Sequence, residues 1–262
     1  MQTIQLSFLI LIRFDTIDRL ENILSVTEFL VSHFEAPIIV LESDSFNNGL
    51  LEKLLEKNIR YSFQEDHDPI LHRTKYLNQM IRSVETPFVV VWDTDVIVPV
   101  NQIIKAVELL RNEEADFVYP YEKQFRDTSP ILRKLFLESG NINVLEQNSK
   151  KMKEMYLPNP VGGAFLANVK AYTESGLENE DFYGWGMEDG ERYHRWENQG
   201  YKIKRVPGPL FHLSHGRGIN SVFHNADQSF YKRKEVLSIQ RNRNIDSPNA
   251  NDEQIAFQET NL

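Results

Sequence analysis

The sequence predicts an α/β fold with a central, mostly parallel sheet flanked by helices. Strand-like and helix-like segments alternate through the first half of the chain, the order that successive βαβ units require. The apolar runs "LSFLILI" (6–12) and "PFVVVW" (87–92) are continuous rather than alternating, as in strands covered on both faces. With 41% hydrophobic residues in 262 and no internal repeat or Gly/Ser linker, one core is expected rather than two.

Each element follows from local pattern. "LSFLILI" is a buried first strand, too short to span a bilayer and without a basic region ahead of it, so it is read as neither anchor nor signal peptide. A helix from about Thr16 carries Leu20, Ile23, Leu24, Leu30 and Phe34 on one stripe. "PIIVLESD" is a second strand; a short helix ("GLLEKLLEKN"), a third strand ("IRYSF") and a helix over 70–84 lead to the central strand "PFVVVW". The second half gives a helix near 101–111, a strand "DFVYPY", a polar, helix-prone insertion from Ser129 to Met155, and later strands "GAFLANV" and "YKIKRV". The expected organisation is one domain over 1–243 with two functional halves that meet at about residue 100, followed by a polar, flexible tail over 244–262.

A net charge of −9 argues against non-specific binding to nucleic acid, whose phosphates repel an acidic protein. Absence of cysteine excludes disulfides and thiolate metal sites and favours a reducing, cytoplasmic setting.

Three stretches and a set of scattered strand-end residues carry chemistry. In open α/β sheets ligands sit at the carboxyl ends of strands, where "VVVWDTDVIVP" places Asp93 and Asp95. Spaced i, i+2 in extended backbone, two carboxylates point the same way and can share a hard divalent cation; a turn whose aspartates cap backbone amides fits the same letters. Arg13, Asp15, Glu42 and Asp44 stand at other strand ends, where an acid can bind ribose or base edges, while Arg13 and Arg73 can meet phosphate oxygens. In "FHLSHGRG", His212 and His215 could reach a metal from a loop after a strand, with Arg217 close by. In "FYGWGMEDGERYHR", Tyr183 and Trp185 lie among glycines that preclude a regular packed element, so something is expected to stack on them. An acidic helix N-terminus with Trp185 packed beneath it also accounts for that stretch.

Together, "LHRTKYLNQMIRSVETPFVVVWDTDVIVP", "NPVGGAFLANVKAYTESGLENEDFYGWGMEDGERYHR" and "HLSHGRG" resemble the β-1,4-galactosyltransferase family and, more broadly, inverting glycosyltransferases of the GT-A (Rossmann-like) fold. The likeness covers most of residues 70–220, and "IRFDTIDRL" is similar to the family's opening donor loop. It implies that Asp95 ligates the metal, that Asp93 contacts donor sugar or ribose, and that His215 is the metal histidine, with His212 where the family has a sulfur ligand. It further implies donor contacts from Arg73, Arg217 and Gly163 of the Gly-Gly strand, a catalytic base at Asp189, an acceptor-contacting acid at Glu188, and Trp185 lining the sugar site beside Tyr183. Met187 replaces the family's second glycine, Gly190 interrupts its run of acids, and His212 replaces its methionine.

The expected activity is a metal-dependent inverting transfer of a hexose or N-acetylhexosamine, galactose-type favoured, from a UDP-sugar to a glycan or lipid-linked glycan. The expected cofactor is Mn²⁺ (or Mg²⁺), and the biological setting polysaccharide biosynthesis. A non-catalytic sugar- or nucleotide-binding module, and a metal-dependent phosphodiesterase or nucleotidyltransferase, are the alternatives. The basic run "FYKRKEVLSIQRNR" (230–243) suggests peripheral contact with anionic lipid.

Overall fold

The apolar run near the start of the chain becomes an inner strand. In the computed structural model, which describes residues 2–221, β1 (Gln2–Thr3) leads into β2 (Leu6–Ile12), whose Leu6, Phe8, Leu9 and Ile10 are fully buried on both faces. Helix α1 (Ile17–His33) starts at Thr16, whose side chain accepts from the Arg19 amide, and buries Leu20, Ile23, Val26 and Leu30 along one stripe. Then come β3 (Phe34–Glu35), β4 (Ile38–Asp44), α2 (Leu50–Leu54), β5 (Arg60–Glu65), α3 (Arg73–Ile81) and β6 (Phe88–Trp92). Beyond β6 lie β7 (Val96–Ile97), α4 (Val100–Arg111), β8 (Phe117–Tyr119), β9 (Gln124–Asp127), α5 (Pro130–Ser139) and α6 (Asn143–Asn148). The order ends with β10 (Lys153–Glu154), β11 (Ala164–Asn168), α7 (Val169–Glu174), α8 (Glu188–Asn198), β12 (Ile203–Arg205) and β13 (Pro209–His212).

Seven strands form the main sheet in the order β12-β8-β11-β6-β2-β4-β5. All run parallel except β11, which is antiparallel to both β6 and β8. The expected mostly parallel α/β sheet is present.

A second sheet, β10-β9-β13-β7, is absent from the sequence reading. Its strands have two to four residues, too few for a period of two to stand out, so tertiary pairing alone reveals them. It nevertheless sets the site. Antiparallel pairing puts His212 opposite Val96, and parallel pairing with β9 puts His212 opposite Asp127. His212 therefore closes a strand rather than standing in a loop.

The insertion 129–155 forms α5, α6 and β10, and β10 returns to the second sheet beside β9. Arg133 of α5 is buried and donates to Asn22 Oδ1 (2.8 Å), the Asp18 carbonyl (2.9 Å) and Glu21 (2.8 Å). The insertion is thereby fastened to α1. On the other side, Trp196 of α8 stacks on Phe117 with centroids 3.6 Å apart and gives its indole N–H to Ser175 (3.0 Å). That contact fixes α8 against the sheet, with its first turn directed by rigid packing rather than by a loop.

The described residues lie in one compact unit, Met1–Val222. The expected boundary at 243, the basic run with Lys232, Arg233 and Lys234, and the tail 244–262 fall outside the described residues. Among the described residues no helix is long and apolar enough to cross a membrane.

Candidate active site

The Asp-x-Asp segment is a turn, which corrects the expectation of two carboxylates aligned on extended backbone. β6 ends at Trp92, whose indole N–H reaches over the turn to the Val96 carbonyl (2.9 Å). Across this reversal the two aspartates separate. Asp93 forms an ion pair with Arg73, the first residue of α3, while Asp95 faces the histidines.

Three backbone and side-chain links bring the histidines to Asp95. The β13–β7 pairing sets the segments side by side, the Leu213 amide donates to the Asp95 carbonyl (2.7 Å), and buried Asn22 donates to the Leu213 carbonyl (2.9 Å). Asp95 Oδ2 lies 3.0 Å from His215 Nε2 and 3.7 Å from His212 Nε2, and the ligand atoms of all three residues fall within 4.8 Å of one another.

The donor chemistry fits a cation. His212 Nδ1 contacts Asp127 Oδ1 (2.8 Å) and His215 Nδ1 contacts the Gly216 carbonyl (2.7 Å). Carboxylates and carbonyls only accept, so both rings carry a proton on Nδ1 and direct Nε2 at Asp95. An oxygen anion and two imidazole nitrogens thus converge, which is stable only with positive charge among them. Burial works against charge on His212, yet Asp95 and Asp127 raise its proton affinity above the ordinary histidine value. Burial alone would push the Asp95 carboxyl up, but His212, His215 and Arg19 hold it down to about 2. One carboxylate and two histidines suit Mn²⁺ better than Mg²⁺, a hard ion that takes oxygen ligands.

Asp127 is a residue that sequence reasoning missed. It sits in the arrangement in which a carboxylate orients a ligating histidine. Replacing it with alanine should weaken Mn²⁺ binding by about 10–100-fold, measured by calorimetry, with the fold intact by circular dichroism.

Asp189 stands in the first turn of α8, with one oxygen bonded by Arg192 (2.6 Å). Its other oxygen faces Gly162, where a Cβ would come within 2.7 Å. The neighbouring Gly163 carbonyl accepts from the Asp93 amide (2.8 Å), so the Gly-Gly segment lies between Asp93 and Asp189. Burial disfavours charge on Arg73, but Asp93, Asp189 and Glu188 together keep it firmly protonated. Burial, with Asp95 and Asp189 adding repulsion, raises Asp93 despite that arginine. Arg73 Nη1 is buried with no hydrogen-bond partner among the described residues. Glu188 is buried beside Asp189. Met187 precedes them with φ of 76°, a left-handed conformation that glycine adopts without strain.

Other expected site residues are placed differently. Arg13 is buried and spends its guanidinium on the Ser43 carbonyl (2.7 Å), the Asp68 carbonyl (2.6 Å) and Asp66 (2.9 Å), tying strand ends together rather than offering a free fork to phosphate. Glu42 lies within β4 rather than beyond it, buried, with Tyr61 donating to its carboxylate (2.7 Å). Gly163 has φ of 82°, and a Cβ there would meet Leu210 and Phe125 at 2.9 Å, so its lack of side chain serves packing. Asp15 pairs with Arg19 (3.4 Å) and borders Gly218. The Tyr183 hydroxyl donates to Asp68 (2.7 Å) and its ring meets His72 edge-on. Arg217 links the last loop to the aromatic stretch: its guanidinium lies 5.8 Å from the Trp185 ring and donates to the Tyr156 hydroxyl (3.1 Å).

This architecture is the GT-A glycosyltransferase fold. Drosophila β-1,4-galactosyltransferase 7, as a mutant complexed with manganese, UDP-Gal and xylobiose, superposes with a TM-score of 0.53 at 15% identity, covering 89% of this chain and 80% of its own. Glucosyl-3-phosphoglycerate synthase from Mycobacterium tuberculosis, with Mn²⁺, UDP and phosphoglyceric acid, gives 0.54 at 16% identity over 91% of this chain and 78% of its own. A mannosyltransferase from Pyrobaculum calidifontis, with GDP-Man and Mn²⁺, gives 0.55 at 14% over 94% and 66%. Within that fold the chain is galactosyltransferase-like: residues 145–218 match the family model described as the N-terminal domain of galactosyltransferase. Part of the chain is thus similar to a galactosyltransferase family model, and its fold is shared with glycosyltransferases whose structures hold manganese. A search of curated proteins returns no match.

Proposed function

We propose that the protein is an inverting, Mn²⁺-dependent glycosyltransferase that moves a hexose or N-acetylhexosamine, galactose-type favoured, from a UDP-sugar to a hydroxyl of a glycan or lipid-linked glycan. One observation carries the reading: a cation-seeking cluster of Asp95, His212 and His215 and a carboxylate, Asp189, are linked through Asp93 and the Gly-Gly segment. A nucleotide-sugar needs charge neutralised at its diphosphate and a base for the attacking hydroxyl, and these two groups match the two tasks.

Asp95, His212 and His215 would hold the ion, which when bound supplies Lewis-acid neutralisation of the leaving diphosphate. Arg73, with a hydrogen-bond donor to spare, would bind donor oxygens. Asp189 would take the proton from the acceptor hydroxyl through the oxygen facing Gly162, on the side of the sugar opposite the leaving group, which gives inversion. Trp185, beside Arg217, offers an apolar face to sugar C–H groups while hydroxyls bind carboxylates.

The test is an incubation with UDP-galactose and related UDP-sugars, Mn²⁺ and a panel of glycan acceptors, quantifying UDP and glycoside together. Stoichiometric UDP and new glycoside support transfer. UMP plus sugar phosphate would support the phosphodiesterase reading instead, and donor binding with no turnover would support a binding module.

A further inference from the structure

Behind Asp189 stands a buried ion-pair relay that the mechanism so far does not use. Arg192 and Glu178 are almost fully buried. Arg192 Nη1 donates to both carboxylate oxygens of Glu178 (3.0 and 3.1 Å), while Nη2 donates to Asp189 Oδ1 (2.6 Å). The guanidinium also lies 4.1 Å from the centre of the Phe165 ring, which blocks it from swinging away. Glu178 is itself immobilised: Asn78 pairs with its backbone in both directions (2.9 Å each) and the Tyr172 hydroxyl donates to Oε1. Two carboxylates therefore share one buried arginine.

We infer that Arg192 and Glu178 are positioning residues for Asp189: the arginine holds one carboxylate oxygen so that the other faces Gly162, and Glu178, gripping the arginine through both of its own oxygens, holds the guanidinium in the place from which it does so. Arg192 and Glu178 form a buried, mutually neutralising pair, and Asp189, its side chain 32% exposed, is the member of the three that reaches solvent. A buried arginine without Glu178 would be an uncompensated charge, so the pair can hold Asp189 only together.

This assignment rests on the transferase reading for its catalytic consequence, so the test uses one readout that needs turnover and one that does not. Arg192→Met combined with Glu178→Gln leaves no unpaired buried charge on either residue and releases Asp189. Carboxyl carbon NMR at one fixed pH, with the Asp189 signal assigned by its loss in Asp189→Asn, should show that signal displaced in the double variant. The same variant should lose kcat by about a hundredfold through misorientation, with donor Kd within about twofold, and Arg192→Lys, which keeps a donor for Asp189, should retain more of the rate. A lowered melting temperature with the Asp189 signal and kcat unmoved would overturn the inference and leave the pair a structural brace. A displaced signal in a protein that transfers no sugar would sustain the positioning role and sink the transferase reading alone.

Discussion

Asp189→Asn is expected to lower kcat by about a thousandfold, roughly 4 kcal/mol of transition-state stabilisation, while the donor Kd measured with Mn²⁺ changes little. The size follows from the task. Deprotonating an alcohol as it attacks is work only a base can do, and on the proposed mechanism it falls to the Asp189 oxygen beside Gly162, the one that Arg192 does not bond. The substitution keeps volume and one acceptor, so Arg192 retains a partner and the fold is not the variable. Single-turnover transfer together with donor calorimetry checks this. A fall in donor affinity matching the fall in rate would assign Asp189 to donor binding instead.

The second large effect concerns the cation. Wild type should be stabilised by saturating Mn²⁺, by about 2.7 kcal/mol at a hundredfold excess over Kd, because only the folded chain assembles Asp95, His212 and His215. Asp95→Ala should abolish that gain and with it the affinity for UDP, and His215→Ala should cut both sharply. Asp95 should matter most, since its Oδ2 faces both histidines. His212→Asn should be milder, as the 3.7 Å approach of His212 is the looser of the two. Thermal melts across a Mn²⁺ series read all three. Comparable UDP affinity with and without Mn²⁺ in wild type would contradict the assignment.

The main sheet was legible because its strands announce themselves: "LSFLILI" and "PFVVVW" are long and apolar, and both became inner strands. The site was legible where a residue's chemistry and its strand-end position coincide, as for Asp93, Asp95, His212 and His215. It was illegible where a role depends on pairing between short segments. Asp127 is an ordinary acid in "QFRD" until β9 lies beside β13 and puts it on His212. Glu178 and Arg192 stand 14 positions apart, and nothing in the letters shows that both turn inward. Conversely, Arg13 and Glu42 looked like donor contacts because of their places at the ends of correctly read strands, but the neighbours that enclose them come from elsewhere in the chain. The loop at 66–68 takes up Arg13 and Tyr61 of β5 takes up Glu42, so their polar atoms are satisfied internally.

The most direct test is diffraction from crystals soaked with Mn²⁺ and UDP, recorded at the manganese absorption edge. An anomalous peak bounded by Asp95, His212 and His215, with UDP phosphate against it and Asp189 across the sugar pocket, is the predicted result. A manganese peak elsewhere, or a nucleotide bound with no metal among those three side chains, would contradict the account.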